Sequence, residues 1–170
     1  RDVVIQSDLR PERSVNFNLN VSRNIATGSS WLNLDGSAWY TYFFNRILPD
    51  YLTDPNKIYY SNLDGNAISK GLTLNAEASF VSSFRFNAGL TLMDIRVTEK
   101  VGHRTITHRP LLTEQWSGTW GLSYTISSLG ISVDYTGNVY GPMKLPVLSS
   151  LDPRAGESPV WSIQNIQVTK

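Results

Sequence analysis

From Trp116 to Ser127 the chain reads Trp-Ser-Gly-Thr-Trp-Gly-Leu-Ser-Tyr-Thr-Ile-Ser, a strict alternation of two kinds of residue. Successive side chains of a strand point to opposite faces. Trp116, Gly118, Trp120, Leu122, Tyr124 and Ile126 therefore share one face, and Ser117, Thr119, Gly121, Ser123, Thr125 and Ser127 the other. The apolar face places aromatics toward its two ends and glycine or aliphatics between them, an order that suits a strand crossing lipid with ring girdles at both interfaces. A half-buried strand of a soluble sheet alternates too, so the neighbours of this stretch decide.

The same period recurs along the chain, with no helical periodicity to compete with it. Val15, Phe17, Leu19 and Val21 alternate with Asn16, Asn18, Asn20 and Ser22. Leu32, Leu34, Gly36, Ala38, Tyr40, Tyr42 and Phe44 alternate with Asn33, Asp35, Ser37, Trp39, Thr41 and Phe43. A third strand begins near Ile58-Tyr59-Tyr60, passes an irregular Asp64-Gly65-Asn66, and continues through Leu72, Leu74, Ala76, Ala78 and Phe80. Phe84 to Leu92 and Ile131 to Val139 repeat the alternation, while Val160 to Thr169 changes phase between Ile163 and Ile166, which predicts a bulge there. The expected fold is all-β, an antiparallel up-and-down meander of about seven long strands, most of them matching the roughly 9–11 residues that a tilted strand needs to cross a bilayer.

The links between strands sort by length. Val81-Ser82-Ser83 and Ser127 to Gly130 read as tight turns and Arg23 to Ser30 as a modest one, whereas Asn45 to Lys57, Thr98 to Gln115 and Pro142 to Pro159 are long. Short and long links alternate, as the periplasmic turns and outer loops of a membrane barrel do. The strand from Val15 thus runs toward the periplasm and the next one returns. Asn16, Asn18, Asn20, Asp35, Glu77, Arg85 and Asp134 all fall opposite the apolar stripe. A basic side chain facing lipid at midplane costs about 2–4 kcal/mol, so this face is expected to line a wet lumen.

Composition narrows the alternatives. The 170 residues carry 15 basic and 14 acidic side chains, and this balance, without a basic cluster, argues against a nucleic-acid partner. No apolar run reaches the roughly 18 residues of a membrane helix. The chain has no cysteine, which removes disulfide frameworks and thiolate metal sites. It opens on Arg1-Asp2-Val3-Val4-Ile5 without a leader pattern, so it is read as a mature product or a piece of something longer.

Two stretches resemble a known family. Leu9-Arg10-Pro11-Glu12-Arg13-Ser14-Val15-Asn16-Phe17 is similar to the segment that leads into a downward barrel strand of TonB-dependent outer-membrane receptors. Tyr59-Tyr60-Ser61-Asn62-Leu63-Asp64-Gly65, followed by Ile68-Ser69-Lys70-Gly71-Leu72-Thr73-Leu74-Asn75-Ala76, looks like that family's next landmark, one hairpin on, with Thr73 where the family usually has Glu. Long aromatic-rich strands and Asp152-Pro153-Arg154 are most similar to receptors of the Bacteroidetes type. The resemblance implies that residues 1–170 are the C-terminal part of a 22-stranded barrel, without its plug domain and last hairpin. It implies an outer-membrane location and uptake of a scarce nutrient (ferric siderophore, cobalamin, haem or glycan). Its partners would be the TonB complex, acting through the plug, and outer-membrane lipid or lipopolysaccharide, with no enzymatic activity and no cofactor.

Capture residues are expected on the outer loops, because loops on a rigid scaffold carry function. Candidates for substrate contact are Trp39, Phe43 and Arg46 near the top of the second strand, His103, Arg104, His108 and Arg109 between Thr98 and Gln115, and Tyr140 with Lys144. Each has a plainer reading. Two histidines on one loop without companion ligands are ordinarily solvated, so no metal site is assigned. The cations are ordinary surface charges unless they clamp an anion, and Trp39 and Phe43 either stack on a ring or pack a loop. Asp152 and Glu157 lie near each other in sequence but lack a nucleophile or an orienting partner. Two other classes stay open: a complete small outer-membrane barrel, structural or adhesive, and a soluble β-sandwich or lipocalin-like binding protein.

Overall fold

The computed structural model describes residues 2–5, 8–51, 53–54, 56–81, 83–147, 153 and 155–170. Among these residues eleven strands form in chain order: β1 (Asp2–Ile5), β2 (Arg13–Thr27), β3 (Ser30–Asn45), β4 (Ile47–Asp50), β5 (Lys57–Asn62), β6 (Gly65–Phe80), β7 (Phe84–Val101), β8 (Arg104–His108), β9 (Trp116–Ile126), β10 (Ile131–Tyr140) and β11 (Trp161–Thr169). Seven of them build one sheet in the order β11-β10-β9-β7-β6-β3-β2, with β8 added to the upper part of β7. Every neighbouring pair in it is antiparallel. The expected meander is therefore present.

Pairing registers confirm the two faces. The row Val21, Gly36, Leu74, Leu90, Gly118 runs straight across the sheet, and so does the row Asn20, Ser37, Thr73, Thr91, Ser117 on the opposite face. Asn16, Asn18, Asn20, Asp35, Glu77, Arg85 and Asp134 all register on the polar side. The apolar side is bare, with Phe17 65% and Leu19 67% exposed, and the only buried hydrophobics among the described residues are Ala67, Ala78 and Val97. A sandwich or a lipocalin-like fold buries one stripe as its core; this single layer has none. Aromatics mark the lower edge of the apolar side, where Phe80 and Phe84 stack at 6.2 Å and Tyr124 pairs with Phe84.

Four expectations need correction. The third strand is two strands: β5 belongs to a separate small sheet, β1-β5-β4, in which β1 runs parallel to β5, and β6 starts afresh at Gly65. Thr98 to Gln115 is not simply a loop, because β7 continues to Val101 and turns at Gly102-His103 into β8, which pairs back from Val101↔Arg104 to Val97↔His108. The link expected over Arg23 to Ser30 shrinks to Gly28-Ser29 between the paired Thr27 and Ser30. Gly28 has φ +59, the positive value that the first position of a type II′ hairpin turn demands. No bulge interrupts β11, which pairs with β10 continuously from Tyr140↔Trp161 to Ser132↔Thr169. Ile163 and Ile166 simply face opposite ways, Ile163 beside Asn138 and Ile166 beside Tyr135. The one shift among the long pairs lies between Arg13 and Ser14 at the top of β2. Ser82, Asp152 and Arg154 lie outside the described residues.

Adjacent positions on β6 test the assignment of faces. In the protein carrying this sheet, Ala76→Arg on the apolar face is expected to lower folding stability in vesicles by about 2–4 kcal/mol. Asn75→Arg on the polar face is expected to cost under about 1 kcal/mol. Denaturant titration of the two variants measures both, and equal costs would overturn the assignment.

Candidate binding site at the outer end of the sheet

The outer end is held together by polar side chains on backbone. Asn62, at the end of β5, accepts from the Arg10 amide through Oδ1 at 2.7 Å and donates through Nδ2 to the Arg10 carbonyl at 2.9 Å. Asn45, at the end of β3, donates to the Pro11 carbonyl at 2.8 Å, and Glu12 Oε1 accepts from the Ile47 amide at 2.9 Å. Asn62 also donates to Asn45 Oδ1 at 3.1 Å. The segment Leu9 to Glu12 and the segment Tyr60 to Asn62 are thus two halves of one clamp that fixes the approach to β2 against the start of β4 and the end of β5.

Beside this clamp opens a cleft of 740 Å³, lined by β4, β5, the upper part of β7 and the links after β8 and β10. Its wall is stitched across two links. Leu112 donates its amide to the Lys144 carbonyl at 2.8 Å, Ser158 to the Met143 carbonyl at 2.8 Å and Leu145 to the Gly156 carbonyl at 2.9 Å. Arg109 Nη2 donates to Glu157 Oε1 at 2.5 Å. Leu112 has φ +55, a strained value for a γ-branched residue that persists only where the surroundings enforce it, and such strain gathers at functional sites.

Of the sequence-derived candidates, Arg46, His108, Arg109 and Lys144 line this cleft. Arg46 is seated by Phe43, whose ring centroid lies 5.1 Å from the guanidinium carbon. Phe43 thus serves as a cation–π seat. His108 Nδ1 lies 3.5 Å from Glu99 Oε1. Arg109 is the most enclosed of the four, its side chain 15% exposed, and its Nε is buried without a partner among the described residues, a donor left for another acceptor. The remaining candidates lie elsewhere. Trp39 sits lower on β3 against Gly71, His103 and Arg104 are exposed at the β7–β8 turn, and Tyr140 stacks on Trp161 at 4.4 Å. Asp50, Asp64, Glu99 and Lys100, which also line the cleft, were not singled out from the sequence; charges close in sequence to the loop cations were the available sign. No cluster among the described residues has the make-up of a metal site.

The family model described as "TonB dependent receptor-like, beta-barrel" matches residues 2–154. The chain belongs to that family. Its place is accordingly the bacterial outer membrane. No curated protein matches in sequence. Two solved structures share the fold: the FrpB iron transporter from Neisseria meningitidis, F3-3 variant, at 12% identity and TM-score 0.62, and the F5-1 variant in its apoprotein form, at 12% identity and TM-score 0.63. Both alignments cover 98% of this chain, which spans about a quarter of those transporters, 24% of the first and 25% of the second. TonB-dependent receptor barrels thus account for the antiparallel sheet and its bare apolar face.

The clamp predicts a graded response. Asn62→Asp keeps the acceptor for the Arg10 amide and loses the donor, whereas Asn62→Ala loses both bonds. Hydrogen exchange at the Arg10 amide is expected to speed up in that order, with Asn62→Ala lowering the local opening free energy by about 1–2 kcal/mol. Unchanged exchange in Asn62→Ala would show that the clamp holds nothing.

Proposed function

We propose that this chain is wall and outer loop of a TonB-dependent receptor that imports a scarce nutrient, and that the cleft beside the Asn62 clamp makes first contact with it. The observation carrying this reading is the convergence of Arg46, His108, Arg109 and Lys144 on one cleft at the long-loop end, with its wall tied across two loops. Charges held by neighbours before a ligand arrives lower the cost of binding. The role is binding and transport, not catalysis.

In the same reading, the free long edges of β2 and β11 join further strands of a 22-stranded barrel of the Bacteroidetes type, since lipid tolerates no open ladder. The plug and a last hairpin complete the receptor, the TonB complex acts through that plug, and outer-membrane lipid or lipopolysaccharide surrounds the wall. Arg46, Lys100, Arg109 and Lys144 against the carboxylates of Asp50, Asp64 and Glu99 leave the cleft lining a small positive excess, which favours a cargo with anionic groups, such as a ferric chelate or haem, over cobalamin or a neutral glycan.

Binding of a ferric catecholate, a ferric hydroxamate, haem, cobalamin and an oligosaccharide to the whole receptor, measured by titration calorimetry, tests this. The ligand that binds is expected to lose at least about tenfold in affinity with Arg46→Glu or Lys144→Glu and to be unaffected by His103→Ala at the exposed turn. Full affinity in both charge-reversal variants would remove the cleft from the capture path.

A further inference from the structure

On β6 and β7 the outward apolar stripe runs from Leu72 to Phe80 and from Phe84 to Leu92, close to the length a tilted strand needs in hydrocarbon. Directly above it the next outward pair is Lys70↔Asp94, followed by Ile68↔Arg96. These charges share the outer membrane-facing side with the rings of Tyr40 and Tyr42 on β3, which pair with Lys70 and Ile68, and with Trp116, which pairs with Leu92. The girdle is therefore aromatic on β3 and β9 and charged between them. Asp94 takes Arg96 Nε at 3.0 and 3.2 Å and Lys70 Nζ at 3.6 Å. One acid thus holds two cations, leaving an excess positive charge at the level where the headgroups of the outer leaflet begin. Lys70 and Arg96 are 55% and 64% exposed. Because Asp94 engages Arg96 through Nε, the terminal Nη pair, the fork that suits phosphate, is not used by that contact.

We propose that Lys70 and Arg96, positioned by Asp94, bind the phosphate headgroup of an outer-leaflet glycolipid whose acyl chains lie against the stripe beneath. The partner is set by complementarity of both parts: an anionic head at the charged gap in the girdle and hydrocarbon on the leucines and alanines below it. Lysine and arginine near a membrane surface snorkel toward headgroup phosphates. The inference rests on the outer-membrane placement and is independent of the nutrient cleft, which opens on the other side of β7.

The test uses the whole receptor in detergent micelles, with bisphosphorylated lipid A, the same lipid stripped of its phosphates, and inorganic phosphate as probes, read by native mass spectrometry. Bisphosphorylated lipid A is expected to bind the unmodified receptor about tenfold more tightly than the stripped lipid. That preference is expected to vanish in the Lys70→Gln/Arg96→Gln double variant and to persist in Lys70→Arg, while nutrient affinity stays unchanged. Equal binding of the two lipids, a preference that survives in the double variant, or full competition by millimolar inorganic phosphate would each overturn the proposal. The lipid comparison on the unmodified receptor decides even if the double variant does not fold.

Discussion

A sheet one layer thick has no interior to hide in, and everything in this chain follows from how its backbone and its two faces are satisfied. The antiparallel ladder pairs nearly the full length of β3, β6 and β7 on both sides, which is what hydrocarbon requires of any backbone that crosses it. With only three buried hydrophobic side chains among the described residues, packing between layers cannot fix the register. The solvents do so: a slip of one residue would carry Asn20, Asp35 and Glu77 into lipid and Leu19, Leu34 and Ala76 into water.

The same ladder explains where the cleft lies. Pairing rows run square to the strands, yet the outer end of the sheet does not follow a row. Tyr140 at the end of β10 shares a row with Ser117, Thr91, Thr73 and Ser37, so it ends well below Asn45, where β3 stops. This stagger is the shear that a tilted barrel wall demands. It leaves a step at the outer end, with β3, β6 and β7 standing higher than β9 and β10. The links after β8 and β10 fill the step, cross-bonded through Lys144 and Glu157, and the cleft is the space between them and the upper part of β7.

The faces were legible in the sequence because the two-residue period depends on nothing but the chain itself, and the end of the sheet that carries the long links was legible because short turns and long links alternate. What lay beyond the membrane was not. β4, β5 and β8 are short and lack alternation, and their partners are set by contacts distant in sequence, such as Asn62 with Arg10. The bulge expected in β11 shows the opposite error. Polar Ser162 and Gln164 stand beside Val139 and Gly137, where apolar residues were looked for, and Ile163 faces the other way. Continuous bonding to β10 outweighs the composition of single positions there. At the site, loop cations were easy to nominate, but which of them converge depends on the stitching of two loops. The charged gap in the girdle was readable in principle: Lys70, Asp94 and Arg96 continue the phase of Leu72, Leu74, Leu90 and Leu92, and charge on the lipid phase of a strand is the sign.

At both outer sites cations are held by acids, and the burial of each pair determines what a ligand has to displace. Around Asp94 the partners are well exposed, so each ion pair contributes little, and a phosphate can add to the cluster without dismantling it. In the cleft, Arg109 is largely enclosed while Glu157 is 55% exposed. Removing the carboxylate without replacement would leave an enclosed charge unpaired, which is costly. An anionic ligand that takes the carboxylate's place avoids that cost and also offers an acceptor to the unused Nε. The pair therefore holds Arg109 in place, and under the proposed capture role it would yield most readily to a group with at least two acceptor atoms, which can satisfy both the guanidinium charge and the unused Nε.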